Sequence, residues 1–374
     1  MPRAQTIVFA GGGHAHLYSL LRTGDLVRQG FDVVLVNPSR YLYYSGMATG
    51  VISRTYTTEE DRIDVRRLVE RGGGHFVEGR IEKVIPKDRE LLLESGERIS
   101  YDAASFCLGS EAPVESISGG SAENGRVLPV KPVENTAKIR DSLLAPSGGT
   151  GPRVLVVGGG AAGCEVAANT ANLLRQEGKG GRVTLAESGP ALLKSSPKKA
   201  RREMSAYLGE RGVEVLLVSR VVSYKDGVAR LETGREMAAG LLIPAVGIVP
   251  SPVFRRSGLV TGDDGGLWVD HYLRAVGDGR LFGGGDSVCF RGEALPRLGV
   301  FAIRQGPVLF HNLQAVLKGE PLQTFEPQKR YLYILNFGDG SGLGIYGSLT
   351  WRGRSAMWLK NKIDKRFMAG YSQL

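Results

Sequence analysis

The sequence predicts an α/β protein with two Rossmann-like domains, one inserted in the other, plus a small α+β C-terminal domain. Three observations lead there. The apolar run Ile7-Val8-Phe9-Ala10 ends in a glycine loop, Gly11-Gly12-Gly13. Val154-Leu155-Val156-Val157 ends in a second one, Gly158-Gly159-Gly160-Ala161-Ala162-Gly163. Each loop is followed by a helical pattern and another apolar strand, Val33-Val34-Leu35-Val36 in the first copy and Val183-Thr184-Leu185 in the second. A strand, a tight turn and a helix N-terminus together make a cradle for a pyrophosphate. Two copies therefore imply two dinucleotides facing each other, and electron transfer between a flavin and a nicotinamide.

Bulk properties agree. A chain of 374 residues has room for two or three domains. Its 53 glycines are about twice the ~7% of average usage, and the excess sits in turns after apolar runs. No apolar run approaches the ~20 residues of a membrane-spanning helix. The first strand begins within a few residues of Met1, which leaves no room for a signal peptide and points to the cytoplasm. Cys107, Cys164 and Cys289 form no close pair, which argues against a disulfide framework and against a metal site. The net charge of +10 comes with no nucleic-acid motif, so acidic cofactors account for it better than nucleic acid does.

In the first copy Gly11 and Gly13 occupy the first two positions of a G-x-G-x-x-G pattern, and His16 stands at the third. A glycine there normally lets helix and strand pack closely, so His16 must point aside or the helix must stand off. Asn37 ends the second strand where a carboxylate is usual; its amide can still bond ribose hydroxyls. The second copy is complete. Gly158, Gly160 and Gly163 fill the pattern and Glu187 ends the next strand. A carboxylate there accepts from both ribose hydroxyls and repels a 2′-phosphate, and no arginine adjoins Ser188, so NADH is expected over NADPH.

The expected domains are 1–135 with 263–325 for the flavin, 136–262 for the nicotinamide nucleotide, and 326–374 at the C-terminus. Pro146-Ser147-Gly148-Gly149-Thr150-Gly151-Pro152 reads as a linker near the start of the insertion. Lys198-Lys199-Ala200-Arg201-Arg202 reads as the solvated first turns of a helix. In the tail, Arg330 to Leu335 and Leu343 to Tyr346 flank a glycine-rich turn and predict a hairpin. Ala356, Leu359, Ile363 and Phe367 then recur at helical spacing among six basic residues, with Trp351, Trp358 and Tyr371 nearby. Such a stripe either packs on the protein's own body or a homodimer partner, or lies peripherally on the inner face of a membrane.

Further motifs carry a resemblance. Tyr101-Asp102 leading to Cys107-Leu108-Gly109-Ser110, Leu242 to Pro250 around Gly247, and Leu281-Phe282-Gly283-Gly284-Gly285-Asp286 are similar to the conserved segments of the pyridine nucleotide-disulfide oxidoreductase superfamily, and fall in its order. Arg40-Tyr41, Tyr44 to Met47, Ala302 to Pro307, Pro327-Gln328 and Lys360 to Met368 resemble its NADH-dehydrogenase-like members, found alone or fused ahead of selenide, water dikinase. These are similar in turn to type II NADH dehydrogenases and sulfide:quinone oxidoreductases.

The resemblance implies FAD held by Gly11, Gly13, His14, Asn37, Arg40, Ser45, Met47, Ile81, Gly109, Asp286 and Gln305. Asp286 would bond the ribityl chain, and Gln305 would begin or enter a helix whose N-terminus faces the flavin. It implies NADH held by Gly158, Gly160, Gly163, Glu165, Glu187 and Gly247, with Glu165 near the nicotinamide. A disulfide reductase needs a cysteine pair beside the flavin, and Tyr43 to Gly50 holds none. What remains is hydride transfer from NADH to flavin N5, then to a second acceptor, with a quinone the leading class. Glu165 and Cys289 are the candidate chemical residues. The alternatives are reduction of a selenium or sulfur species linked to selenophosphate synthesis, and a slow flavin-binding sensor or interaction protein.

Overall fold

The computed structural model describes residues 3–119, 125–146, 151–292 and 295–372. Of the expected linker, residues 147–150 lie outside the described residues. The apolar runs become the central strands of two parallel sheets. In the first, the spatial order is Leu281–Gly283, Ala103–Phe106, Thr6–Ala10, Asp32–Asn37, His75–Glu78. In the second it is Glu214–Leu216, Arg182–Ala186, Arg153–Val157, Leu241–Pro244. Registers are in step: Ile7 pairs with Val33, and Val154 with Val183. Both Thr6–Ala10 and Val154–Val157 are buried end to end, as strands covered on both faces must be. Each sheet also carries a three-stranded antiparallel meander just before its last shared strand, Ile81–Ile85 to Arg98–Ser100 in one and Val221–Lys225 to Glu236–Ala238 in the other. The repeat seen in the glycine loops thus extends over each whole unit, and the expected fold class holds.

The seam between the units lies away from the expected boundaries. Ser110–Glu111 pairs antiparallel with Val249–Pro250, so the outgoing and returning chains clasp each other. Beyond that clasp Ile117 and Val127 are buried with Leu155 and Val157 of the second unit, well before residue 136. On the return, Val253 and Phe254 are already in the first unit's core, with Phe254 edge-on to Phe106, well before residue 263. Burial sets the boundary here, and scattered apolar residues in the connections gave no periodic signal of it.

The tail forms the expected hairpin with one strand more: Leu332–Asn336, Gly342–Tyr346 and Leu349–Gly353 make an antiparallel sheet, followed by the helix Arg354–Ser372. It shares its core with both larger units. Leu335, Phe337, Leu343 and Ile345 are buried with the second unit, and Met357 and Met368 with the first. Phe337 stacks on Tyr207 at 3.8 Å between ring centroids. The predicted stripe is rotated. The docked seam is Ala356, Lys360, Asp364 and Met368, at i, i+4 spacing, whereas Ile363 is 44% exposed and Trp358 63%. A buried ion pair between Lys360 and Asp364, 2.8 Å apart, holds the seam, and a rule that counts only apolar residues could not see it.

Phe337→Ala removes a fully buried ring from the joint between the tail and the second unit. We expect a loss of about 3–5 kcal/mol, read as a lowered Tm. An unchanged Tm would mean the joint is not a stabilising contact.

Candidate nucleotide sites

Both glycine loops are built on one steric constraint. Gly11 has φ +86, and a Cβ placed on it would lie 2.4 Å from the Cys107 carbonyl oxygen. Gly158 has φ +109, and its Cβ would lie 2.4 Å from the Ala245 carbonyl oxygen. Only glycine fits such an approach. The middle glycines match as well. Gly12 N–H donates to Asn37 Oδ1 at 2.8 Å, and Gly159 N–H donates to Glu187 Oε2 at 2.5 Å. Asn37 and Glu187 therefore brace equivalent loops from the ends of equivalent strands. Asn37 also donates to the Ser39 carbonyl at 2.5 Å, so its amide is largely committed to the loop.

The third position shows why His16 is tolerated. A Cβ on Gly163 would come within 1.8 Å of the Gly158 carbonyl. In the first copy the His16 ring, fully buried, lies 2.6 Å from the matching Gly11 carbonyl through Nδ1 and 2.8 Å from Ser105 Oγ through Nε2. The imidazole does with a hydrogen bond what the glycine does by close approach, and helix Leu17–Leu21 starts one residue later. Burial lowers the His16 pKa to about 4, so the ring is neutral.

The structure gathers most of the residues expected at the flavin. Asp286 lies on the turn after Leu281–Gly283, 2.8 Å from Ser110 Oγ and 2.5 Å from Lys131 Nζ. Burial opposes its charge, but Lys131 and Ser110 overcome that and hold the carboxyl below its usual range. His14 has a buried Nε2 without a partner among the described residues, and burial lowers its pKa to about 4. Gln305 Oε1 accepts from Gly285 N–H at 2.7 Å. Its helix begins at Gly299, so Gln305 sits in the second turn and braces the Asp286 turn rather than standing at the helix N-terminus. The N-terminus itself lies beside Ser45, whose Oγ is 3.7 Å from where a Gly299 Cβ would be. Ser45–Ile52 is a second helix starting at the same place. Met47 is buried in the core, which leaves only its backbone to face a ligand. Arg40 pairs with Asp64, the cap of helix Val65–Arg71, and Ile81 opens the meander. Gly109 takes φ +75 in the first crossover and Gly247 φ +93 in the second.

The second site is a cavity of about 420 Å³ lined by Gly158, Gly160, Glu187, Ser188, Arg220 and Gly247, among others. Arg220 was not legible in the sequence, because the turn after Glu214–Leu216 brings it from a distant stretch of chain. Lys131 escaped for the same reason. It follows Val130, whose N–H donates to the Pro244 carbonyl, so it reaches Asp286 from the second unit.

Glu165 stands where the three parts of the chain meet. It lies on helix Ala161–Gln176 and accepts from Asn336 N–H of the tail at 2.6 Å, and Thr49 of the flavin-side helix also bonds it. Burial raises its pKa to about 7, against the pull of Lys360. Cys289 shares a cavity with Asp286 and Gln305, but burial and then Asp264 raise its pKa, the reverse of what a nucleophilic thiolate needs. Burial also lifts the Cys107 thiol, to about 12, and the Cys164 thiol.

Residues 5–306 match the family model described as pyridine nucleotide-disulphide oxidoreductase. The chain belongs to this family. It is an FAD-dependent oxidoreductase that uses NAD(P)H. It is 26% identical over 357 residues to demethylphylloquinone reductase NdbB of Synechocystis sp., covering 91% of this chain and 87% of that one. It is 24% identical over 283 residues to human ferroptosis suppressor protein 1, covering 72% and 71%. In fold it matches the sulfide:quinone oxidoreductase of Aquifex aeolicus, with TM-score 0.82 at 16% identity over 98% and 91% of the two chains. NDH2 of Plasmodium falciparum, solved with NADH, matches with TM-score 0.82 at 15% identity over 98% and 96%.

The site fits FAD: the loop can turn tightly against Cys107 only because Gly11 and Gly13 lack a Cβ, and a buried His14 nitrogen next to it has no partner among the described residues. Gly11→Ala should purify colourless. Gly158→Ala should keep its flavin and its colour but lose tight NADH binding, by at least about tenfold in Kd. Equal effects of the two changes on flavin content would contradict the assignment of one loop to each nucleotide.

Proposed function

We propose that this protein passes electrons from NADH, through FAD, to a quinone. The observation that supports the acceptor class most directly is negative in kind: Tyr43 to Gly50 holds no cysteine, and the described thiols all have raised pKa values. Electrons therefore have no disulfide of this chain to enter, and the acceptor must come from outside it. NdbB and the Aquifex enzyme, both named for quinone chemistry, support the same reading.

Bound FAD supplies the two-electron chemistry; the chain supplies position and charge. The turn Gly11-Gly12-Gly13 would bring the backbone against the flavin pyrophosphate, with the Gly13 N–H toward it while the Gly11 N–H donates to the Val36 carbonyl, and Asp286 would face the ribityl hydroxyls. The N-termini of helices Gly299–Lys318 and Ser45–Ile52 put positive dipole ends at one place, which favours negative charge on a reduced ring. Gly158 and Gly160 would take the NADH pyrophosphate and Glu187 its ribose. Orientation of this kind is worth several kcal/mol of a barrier, and the hydride step needs no acid or base.

The tail supports a peripheral membrane contact, where quinones reside. Trp358 and Ile363 are exposed beside Arg354, Lys362, Lys365 and Arg366, none of which sits in the docked seam. No helix among the described residues is long and apolar enough to cross a membrane. Binding to anionic vesicles should fall when Trp358 and Ile363 are replaced by serine, and equal flotation of both proteins would count against this surface.

Anaerobic stopped-flow tests the whole reading. NADH should bleach the flavin in seconds or less, and a short-chain quinone should restore it. Bleaching over minutes would instead favour a sensor, and restoration by polysulfide or selenite alone would favour the sulfur or selenium reading. For nucleotide choice, Glu187→Ala should narrow the preference for NADH by about tenfold or more, because the carboxylate's repulsion is gone and Arg220, in the lining of the same cavity, can meet a 2′-phosphate. Adding Arg220→Ala should take the gain in NADPH affinity away. An unchanged NADH/NADPH ratio in Glu187→Ala would refute the role of that carboxylate.

A further inference from the structure

Asp61 is a buried acid with no assigned task. It lies between helix Ser45–Ile52 and strand Arg62–Asp64, is 1% exposed, and its Oδ1 has no hydrogen-bond partner among the described residues. The backbone at Asp61 is held, since its carbonyl accepts from Tyr44 N–H at 2.7 Å. Lys360 and Asp364 face it from the C-terminal helix, with Tyr43, Tyr44 and Tyr56 around it from its own part of the chain.

The charges in this pocket do not balance. Lys360 is the cation that acts on Asp61, and Asp364 already holds it at 2.8 Å. Lys360 also donates to the Gly46 carbonyl at 2.6 Å, and Tyr44 OH donates to Asp364 Oδ1 at 3.1 Å. Glu165 draws on the same Lys360. With Lys360 already paired to Asp364, a further buried carboxylate would go unpaired, which is costly, so Asp61 retains a proton instead. Burial, then Asp364, raises the Asp61 pKa to about 8.

A place to send that proton adjoins it. Tyr44 immediately precedes the Ser45–Ile52 helix, and its ring lies 5.6 Å from that of His14 in the flavin site. We propose that Asp61 is the proton store for acceptor reduction: its carboxyl, which shares no hydrogen bond with Asp364 at rest, turns to meet Asp364, and the proton passes on through the Tyr44 hydroxyl bonded to Asp364. The proposal rests on the quinone reading. Reducing a quinone to a quinol takes two electrons and two protons. NADH provides both electrons and one proton as hydride. The second proton comes from Asp61: its O–H bond breaks, an O–H bond forms on the quinone oxygen, and the carboxylate left behind is refilled from water. No other group is oxidised or reduced. Asp61 does not touch the reacting atoms, so it acts through its neighbours.

The test uses full-length flavin-loaded Asp61→Asn, an isosteric change. Its flavin content and its rate of reduction by NADH should equal the unmodified protein's. Infrared difference spectra at pH 7 should show a protonated-carboxyl band that Asp61→Asn lacks. Reoxidation by a short-chain quinone should slow on the order of 100-fold, and reoxidation by ferricyanide, which takes electrons without protons, should not change. The unmodified protein's quinone rate should fall as pH rises through about 8, and that fall should vanish in the variant. Tyr44→Phe should reproduce the split between acceptors while keeping the infrared band. Equal slowing with both acceptors, no slowing with either, or no missing band would overturn the proposal. A chain that reduces ferricyanide but no quinone would fail the functional reading first, and the delivery step with it.

Discussion

Two carbonyl oxygens, of Cys107 and Ala245, come so close to Gly11 and Gly158 that a methyl group cannot fit between. Everything else in the molecule is arranged around those approaches. They let each loop turn sharply off its strand and aim the following helix at the space where a pyrophosphate fits. The carbonyls belong to the strand-end segments that begin the two crossovers, so the same contacts set where the chain leaves one unit for the other. The clasp of Ser110–Glu111 on Val249–Pro250 then joins the crossovers. Site and inter-unit seam are thus one construction.

The tail closes that construction. Its strands share a core with the second unit and its helix with the first, so it ties the two units together. The cost is a buried ion pair and buried acids in the seam. A buried pair is weak evidence for stability, since apolar residues of the same size often serve as well. Lys360 and Asp364 lie against Gly46 and Tyr44, at the start of helix Ser45–Ile52, and Glu165 reaches the same junction from the second unit. Polar groups placed there have a chemical use that an apolar seam would lack.

How much of this was legible in the sequence follows from what kind of signal each feature leaves. The strands and glycine loops are local and periodic, so they read directly, and so did the duplication. Glu187 read through its spacing from the second loop, and Asp286 only through the family resemblance of the run Leu281 to Asp286. His16 read as a defect, because the pattern shows a missing glycine and hides the Gly11 carbonyl that the ring reaches. Lys131, Arg220 and Asp61 left no trace, since each gains meaning only from neighbours far along the chain. The C-terminal stripe misled for a related reason: Lys360 and Asp364 look solvated in a helical pattern, and only their mutual pairing allows them inward while Ile363 and Trp358 turn outward.

The central claim is spatial: the two loops bring two dinucleotides together so that their rings meet. A crystal structure with FAD and NAD⁺ bound tests it directly. The account predicts one nucleotide on each loop, with nicotinamide C4 about 3–3.5 Å from flavin N5. NAD⁺ lying away from the Gly158 loop, or rings separated by the tail or by Glu165, would contradict it.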